Sequence, residues 1–333
     1  MERKIKKEKI AAVVVTYNRK ELLKECLDAL LNQTFSVDSI ILIDNASTDG
    51  TFEFLKKNKY LDNLKVDYFR LSENTGASGG FHDGVKIGYE KGFDWLWLMD
   101  DDAEPNIKSL EILMENKKDN CVLSPLKILK NGQILTTHIG FTNYLNLFKK
   151  FVFPVDENKI NNIQEISFTS FIGPLIPKSL ISKVGYPDPK FFLYLDDFEY
   201  CIRISQIGKI ILIPESLIIH KEEHFSQNNR KKFLWRVSQP RMDILQYWRM
   251  YYGLRNLIYL AKKYQVSKIN FLYDLITLLV KTVIGIFIYN DDCKFARIGL
   301  IIRAVKDGFS DNLGGNVLPS VWRDKFKLER ASK

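Results

Sequence analysis

The sequence predicts an α/β fold in which helices cover both faces of a mostly parallel sheet, followed by a basic, aromatic helical region. Short apolar runs rich in β-branched residues alternate with helical stripes through the first 125 residues, and this alternation is typical of a parallel sheet. Each predicted strand is followed by polar residues. We therefore expect one α/β domain over residues 1–230 and a helical region over residues 231–333.

Predicted strands and predicted helices alternate along the first part of the chain. The predicted strands cover residues 11–15, 39–43, 66–71, 95–99 and 121–123. The predicted helices between them cover residues 20–32, 51–58, 81–90 and 106–116. Beyond a less regular stretch over residues 126–170, a helix is expected over 179–184, a helix over 197–207 that ends at Gly208, and a strand over 210–213.

The charge of the chain is unevenly distributed. The 333 residues contain 49 Lys and Arg against 40 Asp and Glu, and 46% of them are hydrophobic, which excludes wholesale disorder and a polytopic membrane protein. Residues 231–333 contain 19 basic and 8 acidic residues, a net charge of +11. Such a segment suits an acidic partner: nucleic acid, anionic lipid or an acidic substrate.

Cysteine usage and hydropathy favour a cytosolic protein. The four cysteines are far apart with no Cys-x-x-Cys pair, which argues against a zinc site or a disulfide framework. The apolar run over residues 10–15 is too short for the core of a signal peptide. The most apolar stretch, residues 271–289, contains Asp274 and Lys281, so we expect neither export nor a transmembrane segment.

The polar residues after the strands predict a ligand site, because ligands of parallel sheets bind at the carboxyl edge. Four groups belong to it: Thr16-Tyr17-Asn18-Arg19, Asp44-Asn45-Ala46-Ser47, Asn74-Thr75-Gly76 and Asp100-Asp101-Asp102. The stretch from Asn74 to Gly80 is rich in glycine, which lets a backbone approach a ligand closely. It has neither the Walker spacing nor Gly-x-Gly-x-x-Gly.

Each group has a functional and a structural interpretation. Carboxylates at residues 100–102 suit a divalent cation that screens a diphosphate, or form a charged loop. The Tyr17 ring suits a base and Arg19 a phosphate, or both belong to a polar loop. Asp44 can accept from a base imide or a ribose hydroxyl, or it begins a turn before a helix cap.

Further candidates lie in the second half of the α/β region. Asp196 and Asp197 open a predicted helix, where they either cap it or provide a general base; the helix dipole would keep Asp197 ionised at neutral pH. His220 is either a structural histidine or a metal ligand with an acidic partner, and His224 is the alternative ligand. His82 and His138 belong to no pattern that indicates a function.

Five stretches, in order over residues 10–225, resemble glycosyltransferase family two. They are Val14–Arg19, Asp44–Gly50, Asn74–Gly80, Asp100–Ala103 and Phe191–Arg203. The resemblance implies a GT-A fold, a nucleotide diphosphate sugar donor, a divalent metal (Mn²⁺ or Mg²⁺) and inversion at the anomeric carbon. It also implies a nucleotide-binding half over residues 1–125 and an acceptor half over 126–230.

The resemblance implies roles by position. Thr16, Tyr17, Asn18, Arg19 and Asp44 would hold the nucleoside. Asp100 and Asp102 would lie at the ribose, the diphosphate and the metal, with His220 as a further metal ligand. Asp197 would be the base, with Asp196 beside it. The rest of the nucleotide-sugar site would comprise Asn45, Asn74, Gly76, Gly79, Gly80, Asp83 and Asp101.

Within the family the sequence is most similar to galactofuranosyl- and rhamnosyltransferases of bacterial surface polysaccharides. UDP-galactofuranose is therefore the first expected donor and dTDP-rhamnose the second. Many relatives have Glu-Asp where this chain has Asp196-Asp197, which leaves two positions open for the base. Relatives often carry Arg where this chain has Phe81-His82-Asp83, so the phosphate cation is unassigned. The residues after the first strand do not support the alternative of a sugar-1-phosphate nucleotidyltransferase. A catalytically silent scaffold of a polysaccharide assembly complex remains an alternative.

The C-terminal third interleaves aromatic and basic residues. They are Trp235, Tyr247, Trp248, Tyr251, Tyr252 and Tyr259 with Arg236, Arg241, Arg249, Arg255, Lys262 and Lys263. This composition predicts a peripheral contact with anionic lipid at the cytoplasmic face of the membrane, where a lipid-linked glycan acceptor would be reached. Packing on the α/β domain or into a homo-oligomer is the alternative, and nucleic acid is not an expected partner.

Overall fold

The computed structural model describes residues 8–144, 146–148, 151–221, 232–233, 236–237, 242–289 and 292–331. The chain forms two compact units. The first comprises residues 1–142, 152–189 and 196–222, and the second comprises residues 143–151, 190–195 and 223–333. The sequence predicted a single division at residue 230, and it did not anticipate that two short internal segments belong to the second unit.

The first unit contains a nine-stranded sheet with helices. Its strands and those of a smaller sheet are β1 (Ile10–Thr16), β2 (Ser39–Asp44), β3 (Val66–Arg70), β4 (Trp95–Asp100), β5 (Ala103–Pro105), β6 (Cys121–Ile128), β7 (Ile139–Thr142), β8 (Val152–Pro154), β9 (Gln164–Ile166), β10 (Phe168–Thr169), β11 (Leu175–Pro177) and β12 (Lys209–His220). Its helices are α1 (Lys20–Leu31), α2 (Thr51–Lys57), α3 (Gly76–Glu90), α4 (Ser109–Glu115), α5 (Lys178–Val184) and α6 (Asp196–Ser205).

The main sheet is mostly parallel, as predicted. Its strand order is β3-β2-β1-β4-β11-β6-β12-β5, and β9 pairs with β12. The pairs β1–β2, β2–β3, β1–β4 and β6–β12 are parallel, whereas β11 is antiparallel to β4 and β6. A second sheet has the order β10-β7-β8. Strand β1 is buried along its whole length, as a central strand covered on both faces must be.

The register aligns the ends of three central strands. Thr16 pairs with Asp44, and Val15 pairs with Asp100. The polar residues that follow β1, β2 and β4 therefore begin at one level of one sheet edge. This arrangement confirms the α/β fold and the shared edge that the sequence predicted.

Strand β12 is longer than the predicted strand over 210–213. It continues to His220, and its register with β6 shifts between Ile213 and Leu217. Pro214 lies within this shift, and a proline inside a sheet is tolerated at such an irregularity. The extension places His220 opposite Ala103, next to the acidic triplet.

Helix α3 begins at Gly76, five residues before the predicted start at 81. The glycine-rich stretch forms its first turns instead of a loop. Gly80, Gly84 and Gly88 are four residues apart and face the sheet: a Cβ atom on Gly80 would lie 2.5 Å from Val15, and one on Gly84 2.4 Å from Val13. These glycines allow close packing of the helix on β1.

The second unit is helical. It contains β13 (Lys232–Phe233), β14 (Arg236–Val237), α7 (Trp248–Tyr264), α8 (Lys268–Tyr289), α9 (Lys294–Phe309) and α10 (Pro319–Ala331). The aromatic residues expected at a membrane are mostly interior: Tyr247, Trp248, Tyr251 and Tyr252 are buried, as is Arg255. These side chains pack within the unit and are therefore not available for the predicted membrane contact. Trp235 and Arg241 lie outside the described residues.

Helix α8 contains the apolar stretch in which no transmembrane segment was expected. By length and composition alone, residues 268–288 are long and apolar enough to cross a membrane. Of the two charged residues on which the expectation depended, Asp274 is buried and Lys281 is exposed.

Candidate functional site

The acidic triplet after β4 is tied to the end of β1. Thr16 donates its hydroxyl hydrogen to Asp101 Oδ2 at 2.8 Å, and the Tyr17 backbone N–H lies 3.4 Å from the same oxygen. Arg19 Nη1 lies 2.8 Å from Asp102 Oδ2 and 3.4 Å from Asp101 Oδ1. The two strand ends therefore form one polar cluster in which Arg19 balances part of the acidic charge.

His220 completes this cluster from β12. Its Nε2 atom lies 3.1 Å from Asp102 Oδ1, and both side chains are buried. Neighbouring ligand atoms of an octahedral ion with bonds of about 2.0–2.1 Å are about 3.0 Å apart, so this pair has the spacing of two ligands of one cation.

Asp100, the third predicted metal ligand, ends β4, and its carboxylate interacts electrostatically with that of Asp102. Among the described residues, no group of three or more His, Cys, Asp and Glu side chains is arranged to hold a metal ion. The alternative ligand His224 lies outside the described residues.

The cluster concentrates negative charge. Burial, with the Asp102 and Asp101 carboxylates, raises the pKa of Asp100 well above its ordinary value, and burial raises the pKa of Asp101 to about 7. Burial would also raise the pKa of Asp102, but the His220 ring and the Arg19 guanidinium outweigh it and lower that pKa. A bound cation would relieve the repulsion that raises the pKa of Asp100.

The residues after β2 are used to build the site's framework. Asp44 is buried; its Oδ1 accepts from the Ser47 N–H at 2.8 Å, and its Oδ2 accepts from the Tyr68 hydroxyl at 2.5 Å. Asn18, in the left-handed region with φ of 55°, accepts from the Thr48 N–H at 2.6 Å. The loops after β1 and β2 are therefore joined to each other.

Asn45 connects β2 to the start of α3. Its Oδ1 accepts from the Thr75 N–H at 2.9 Å, and its Nδ2 donates to the Gly76 carbonyl at 2.7 Å. Asn74 Oδ1 accepts from the Gly76 N–H at 2.8 Å. These three predicted site residues thus hold the helix terminus beside the sheet edge.

The remaining α3 candidates lie on the helix. A Cβ atom on Gly79 would lie 2.2 Å from Thr75 Oγ1, so Gly79, like Gly80, meets a packing requirement. Asp83 is half-buried. His82, which had no predicted role, makes a 2.8 Å hydrogen bond between Nδ1 and the Pro187 carbonyl.

Asp196 and Asp197 are the first two residues of α6. Burial raises the pKa of Asp196 to about 6. Burial, together with the Asp196 carboxylate, raises the pKa of Asp197 to about 7. With a pKa of about 7, Asp197 is only partly ionised at neutral pH, whereas the helix dipole was expected to keep it ionised. The Asp196 carboxylate also contributes to the raised pKa of Asp100. The start of α6 therefore lies within electrostatic reach of the triplet.

The sequence interpretation missed Lys127. This side chain is completely buried on β6, and Nζ donates to Ser124 Oγ at 2.8 Å and Thr169 Oγ1 at 2.5 Å. Burial lowers the pKa of Lys127 to about 7, and its charge acts to lower the pKa of Asp197. A lysine within a mostly apolar strand was the available signal. The sequence analysis ended that strand at residue 123 and therefore did not include Lys127 in it.

His138 was also missed. Its ring centroid is 5.3 Å from that of His220, in an edge arrangement. Its Nδ1 atom lies 3.1 Å from Ser170 Oγ. His138 therefore orients the His220 ring from the side.

Comparisons with known proteins show which family and which fold this chain resembles. Residues 11–165 match the sequence profile of glycosyl transferase family 2. The galactofuranosyltransferase GlfT1 of Mycolicibacterium smegmatis is 27% identical over 217 residues, which cover 60% of this chain and 67% of that protein. The dTDP-rhamnosyl transferase RfbF of Shigella flexneri is 23% identical over 322 residues, covering 92% and 97%.

Two solved structures share the fold. The structure of GalNAc-T7 with UDP, GalNAc and Mn²⁺ has a TM-score of 0.56 and 16% identity, covering 78% of this chain and 48% of that one. Staphylococcus aureus TarS has a TM-score of 0.50 and 15% identity, covering 89% and 49%. The chain thus spans about half the length of these two proteins.

Proposed function

Because the chain is a glycosyltransferase whose residues 11–165 form a family 2 domain, we propose that it transfers a sugar from a nucleotide diphosphate sugar to a glycan hydroxyl with inversion. The observation that supports this is the cluster at the carboxyl edge, in which the buried Asp101, Asp102 and His220 meet the half-buried Arg19. The Asp196 carboxylate, next to Asp197 at the start of α6, acts electrostatically on Asp100 of the triplet. A cation-binding carboxylate set beside a second, protonatable carboxylate suits leaving-group departure and acceptor activation.

The proposed donor is UDP-galactofuranose. Similarity to GlfT1, which is named a galactofuranosyltransferase, supports it. dTDP-rhamnose is the second candidate, supported by a match to a named dTDP-rhamnosyl transferase along 92% of the chain. The acceptor would be a growing bacterial surface glycan carried on a lipid.

Asp102 and His220 would hold the divalent cation, Mn²⁺ or Mg²⁺, with Asp100 near the donor's ribose and diphosphate. When bound, the cation supplies Lewis-acid stabilisation of the negative charge on the departing diphosphate. Arg19 and Asp101 keep the Asp102 carboxylate in place. The Tyr17 ring and the β2 framework would border the nucleoside.

Asp197 would act as the base. It accepts the proton of the acceptor hydroxyl, whose oxygen bonds to the anomeric carbon while the bond from that carbon to the diphosphate oxygen breaks. A pKa of about 7 suits this role, since a base works best when its pKa lies near the working pH. The displacement is single, so the scheme requires no covalent nucleophile.

Nucleotide binding tests the donor site. We expect UDP to bind in the presence of Mn²⁺ and to be released by EDTA, as measured by calorimetry, and we expect Asp102→Asn to weaken this metal-dependent binding. A preference for dTDP would transfer the proposal to rhamnose. Absence of binding by both nucleotides would contradict the proposed donor class and favour the silent scaffold.

Helix α8 supports a peripheral membrane site. One face is exposed and apolar: Ile269, Leu272, Tyr273, Ile276, Val280, Ile284 and Phe287. The opposite face, with Phe271, Leu275 and Ile286, is buried in the second unit. A helix that is apolar outside and packed inside suits a position parallel to the lipid surface, and the net charge of +11 over residues 231–333 suits anionic lipid.

A further inference from the structure

The segment that leads into Asp196 and Asp197 has an unfavourable backbone. Phe192, Tyr194 and Leu195 have φ values of 63°, 68° and 66°. Each lies in the left-handed region, which is sterically unfavourable for a bulky L-residue. Three such residues within four positions persist only where surrounding groups hold them.

Asn256, on α7, supplies hydrogen bonds to this segment. Its Nδ2 atom lies 3.1 Å from the Phe191 carbonyl oxygen, 2.9 Å from that of Leu193 and 2.8 Å from that of Tyr194. The side chain is completely buried. One amide group therefore holds three carbonyl groups within the strained stretch, and it does so without solvent competition.

Arg255 orients that amide and adds a further contact. Its Nε donates to Asn256 Oδ1 at 2.9 Å, which directs the Nδ2 hydrogens toward the segment. Its Nη2 donates to the Phe191 carbonyl at 2.8 Å and its Nη1 to the Gly314 carbonyl at 2.6 Å. Arg255 is completely buried, and burying a guanidinium is costly unless its hydrogens are satisfied.

Aromatic stacking holds the side chains of the same segment. The Phe192 ring stacks on Tyr252, with ring centroids 4.6 Å apart and an angle of 20° between the planes. Phe191 packs edge-on against Tyr259 at 5.8 Å. Both tyrosines belong to α7, so this helix restrains the segment through backbone and side-chain contacts.

We propose that Asn256 and Arg255 are positioning residues for the sugar-transfer reaction. They hold residues 190–195 in the strained conformation, and because Leu195 is bonded directly to Asp196, this conformation sets where α6 begins and how Asp197 is presented. The proposal rests on the proposed function, in which Asp197 is the base. In this proposal α7 of the second unit contributes to the reaction by holding this segment.

The test uses the full-length protein with Asn256→Asp. This variant keeps the size of the side chain but replaces the donor that faces three carbonyl oxygens with an acceptor. Gln265→Glu is the matched control: Gln265 is a buried amide immediately after α7, and its side-chain Nε2 donates to Ser267 rather than to the segment. Both variants replace a buried amide with a carboxyl group, so their thermal stabilities provide a common reference.

Two measurements are needed. Hydrogen–deuterium exchange of peptides covering residues 190–200 should increase in Asn256→Asp and not in Gln265→Glu. In Asn256→Asp, the kcat for UDP-galactofuranose, or for dTDP-rhamnose if the wild type uses it, should fall about 10- to 100-fold, as expected for a misplaced catalytic group. The KM for the donor should not change. A role confined to stability would lower both variants' melting temperatures and leave kcat per folded molecule unchanged.

Two results would overturn the proposal. Unchanged exchange in Asn256→Asp would mean that the amide does not hold the segment. Increased exchange with wild-type kcat would mean that the segment does not position the base. Asp197→Asn, assayed in parallel, separates the two hypotheses: wild-type turnover in that variant contradicts the proposed function, whereas the exchange result still decides whether Asn256 holds the segment.

Discussion

Lys127 and Asp197 are two ionisable side chains of the first unit that titrate near neutral pH. Lys127 and Asp197 both have a pKa of about 7, one lowered and the other raised by burial. Each would be fully charged at neutral pH in water. Their mutual attraction offsets part of the desolvation of both groups, so a change to either one alters the other's titration.

We expect Asp197→Asn to remove transfer while preserving the donor site. Without a proton acceptor, turnover should fall about 10²- to 10⁴-fold, whereas metal-dependent UDP binding should remain. Turnover and calorimetric titration of the same preparation measure both. Asp119→Asn, at an exposed position before β6, is the control; turnover equal to this control in Asp197→Asn would exclude Asp197 as the base.

The same substitution should stabilise the protein at alkaline pH. The pKa of Asp197 in the folded chain is about 7, above its ordinary value of 3.8, so the folded state binds the proton more tightly. Its contribution to the free energy of unfolding therefore falls as the pH rises from about 4 through about 7. Asp197→Asn does not titrate, and its melting temperature relative to the wild type should rise between pH 5 and pH 8.

Lys127 should shift the pH profile of transfer. The rate requires ionised Asp197, so kcat/KM should increase with pH and level off above about 7. Lys127→Met removes a positive charge that lowers the pKa of Asp197, so the rising limb should move to higher pH. The exposed Lys209→Met is the control. A limb that stays in place in Lys127→Met would disprove the coupling.

At the level of elements, α3 depends on glycine for its contact with the sheet. Gly84→Ala would bring a Cβ atom to 2.4 Å from Val13 Cγ1 in the most buried strand, and such overpacking costs about 1–3 kcal/mol. Gly299→Ala in α9 has no neighbour within 4 Å and should gain about 0.5–1 kcal/mol from helix propensity. Thermal unfolding distinguishes the two signs, and destabilisation of both variants would contradict the packing argument.

Helix α8 provides a second prediction at this level. Ile276→Asp with Val280→Asp places two charges on its exposed apolar face, and binding to phosphatidylglycerol vesicles should decrease at least tenfold in a sedimentation assay. Leu64→Asp, at a fully exposed position of the first unit, is the control. Undiminished binding by the double variant would show that α8 does not contact lipid.

Residues 1–230 and residues 231–333, which make up most of the first and second units, differ in charge. The first 230 residues contain 30 basic and 32 acidic residues, whereas the remaining residues have a net charge of +11. If anionic lipid is the partner of the second unit, vesicle binding should weaken as the salt concentration is raised from about 0.1 M to 1 M. Over this range the Debye screening length decreases from about 10 Å to 3 Å. If vesicle binding does not depend on salt, the apolar face of α8 and not the basic charge would be the source of that binding.

Much of the first unit could be predicted because its signals are local. The β-branched run at residues 11–15 and the helical stripe at 20–32 each lie within one window of the chain, and hydrophobic periodicity reports them directly. The polar ends of β1, β2 and β4 could also be predicted to meet, since parallel strands share a carboxyl edge. The resemblance to glycosyltransferase family two depended on the same stretches, and the family match over residues 11–165 confirmed it.

By itself, therefore, the sequence predicted the α/β alternation, the shared carboxyl edge of the sheet and the similarity to glycosyltransferase family two that residues 11–165 show. The tertiary structure alone decided which side chains meet across long separations: His220 with Asp102, Lys127 with Thr169, and Asn256 with the segment before Asp196. It also decided that the α7 aromatics are interior and that the α3 glycines serve packing. The physical reason is that periodicity fixes only the local conformation and the buried face, whereas the neighbours of a buried polar group depend on how distant elements pack.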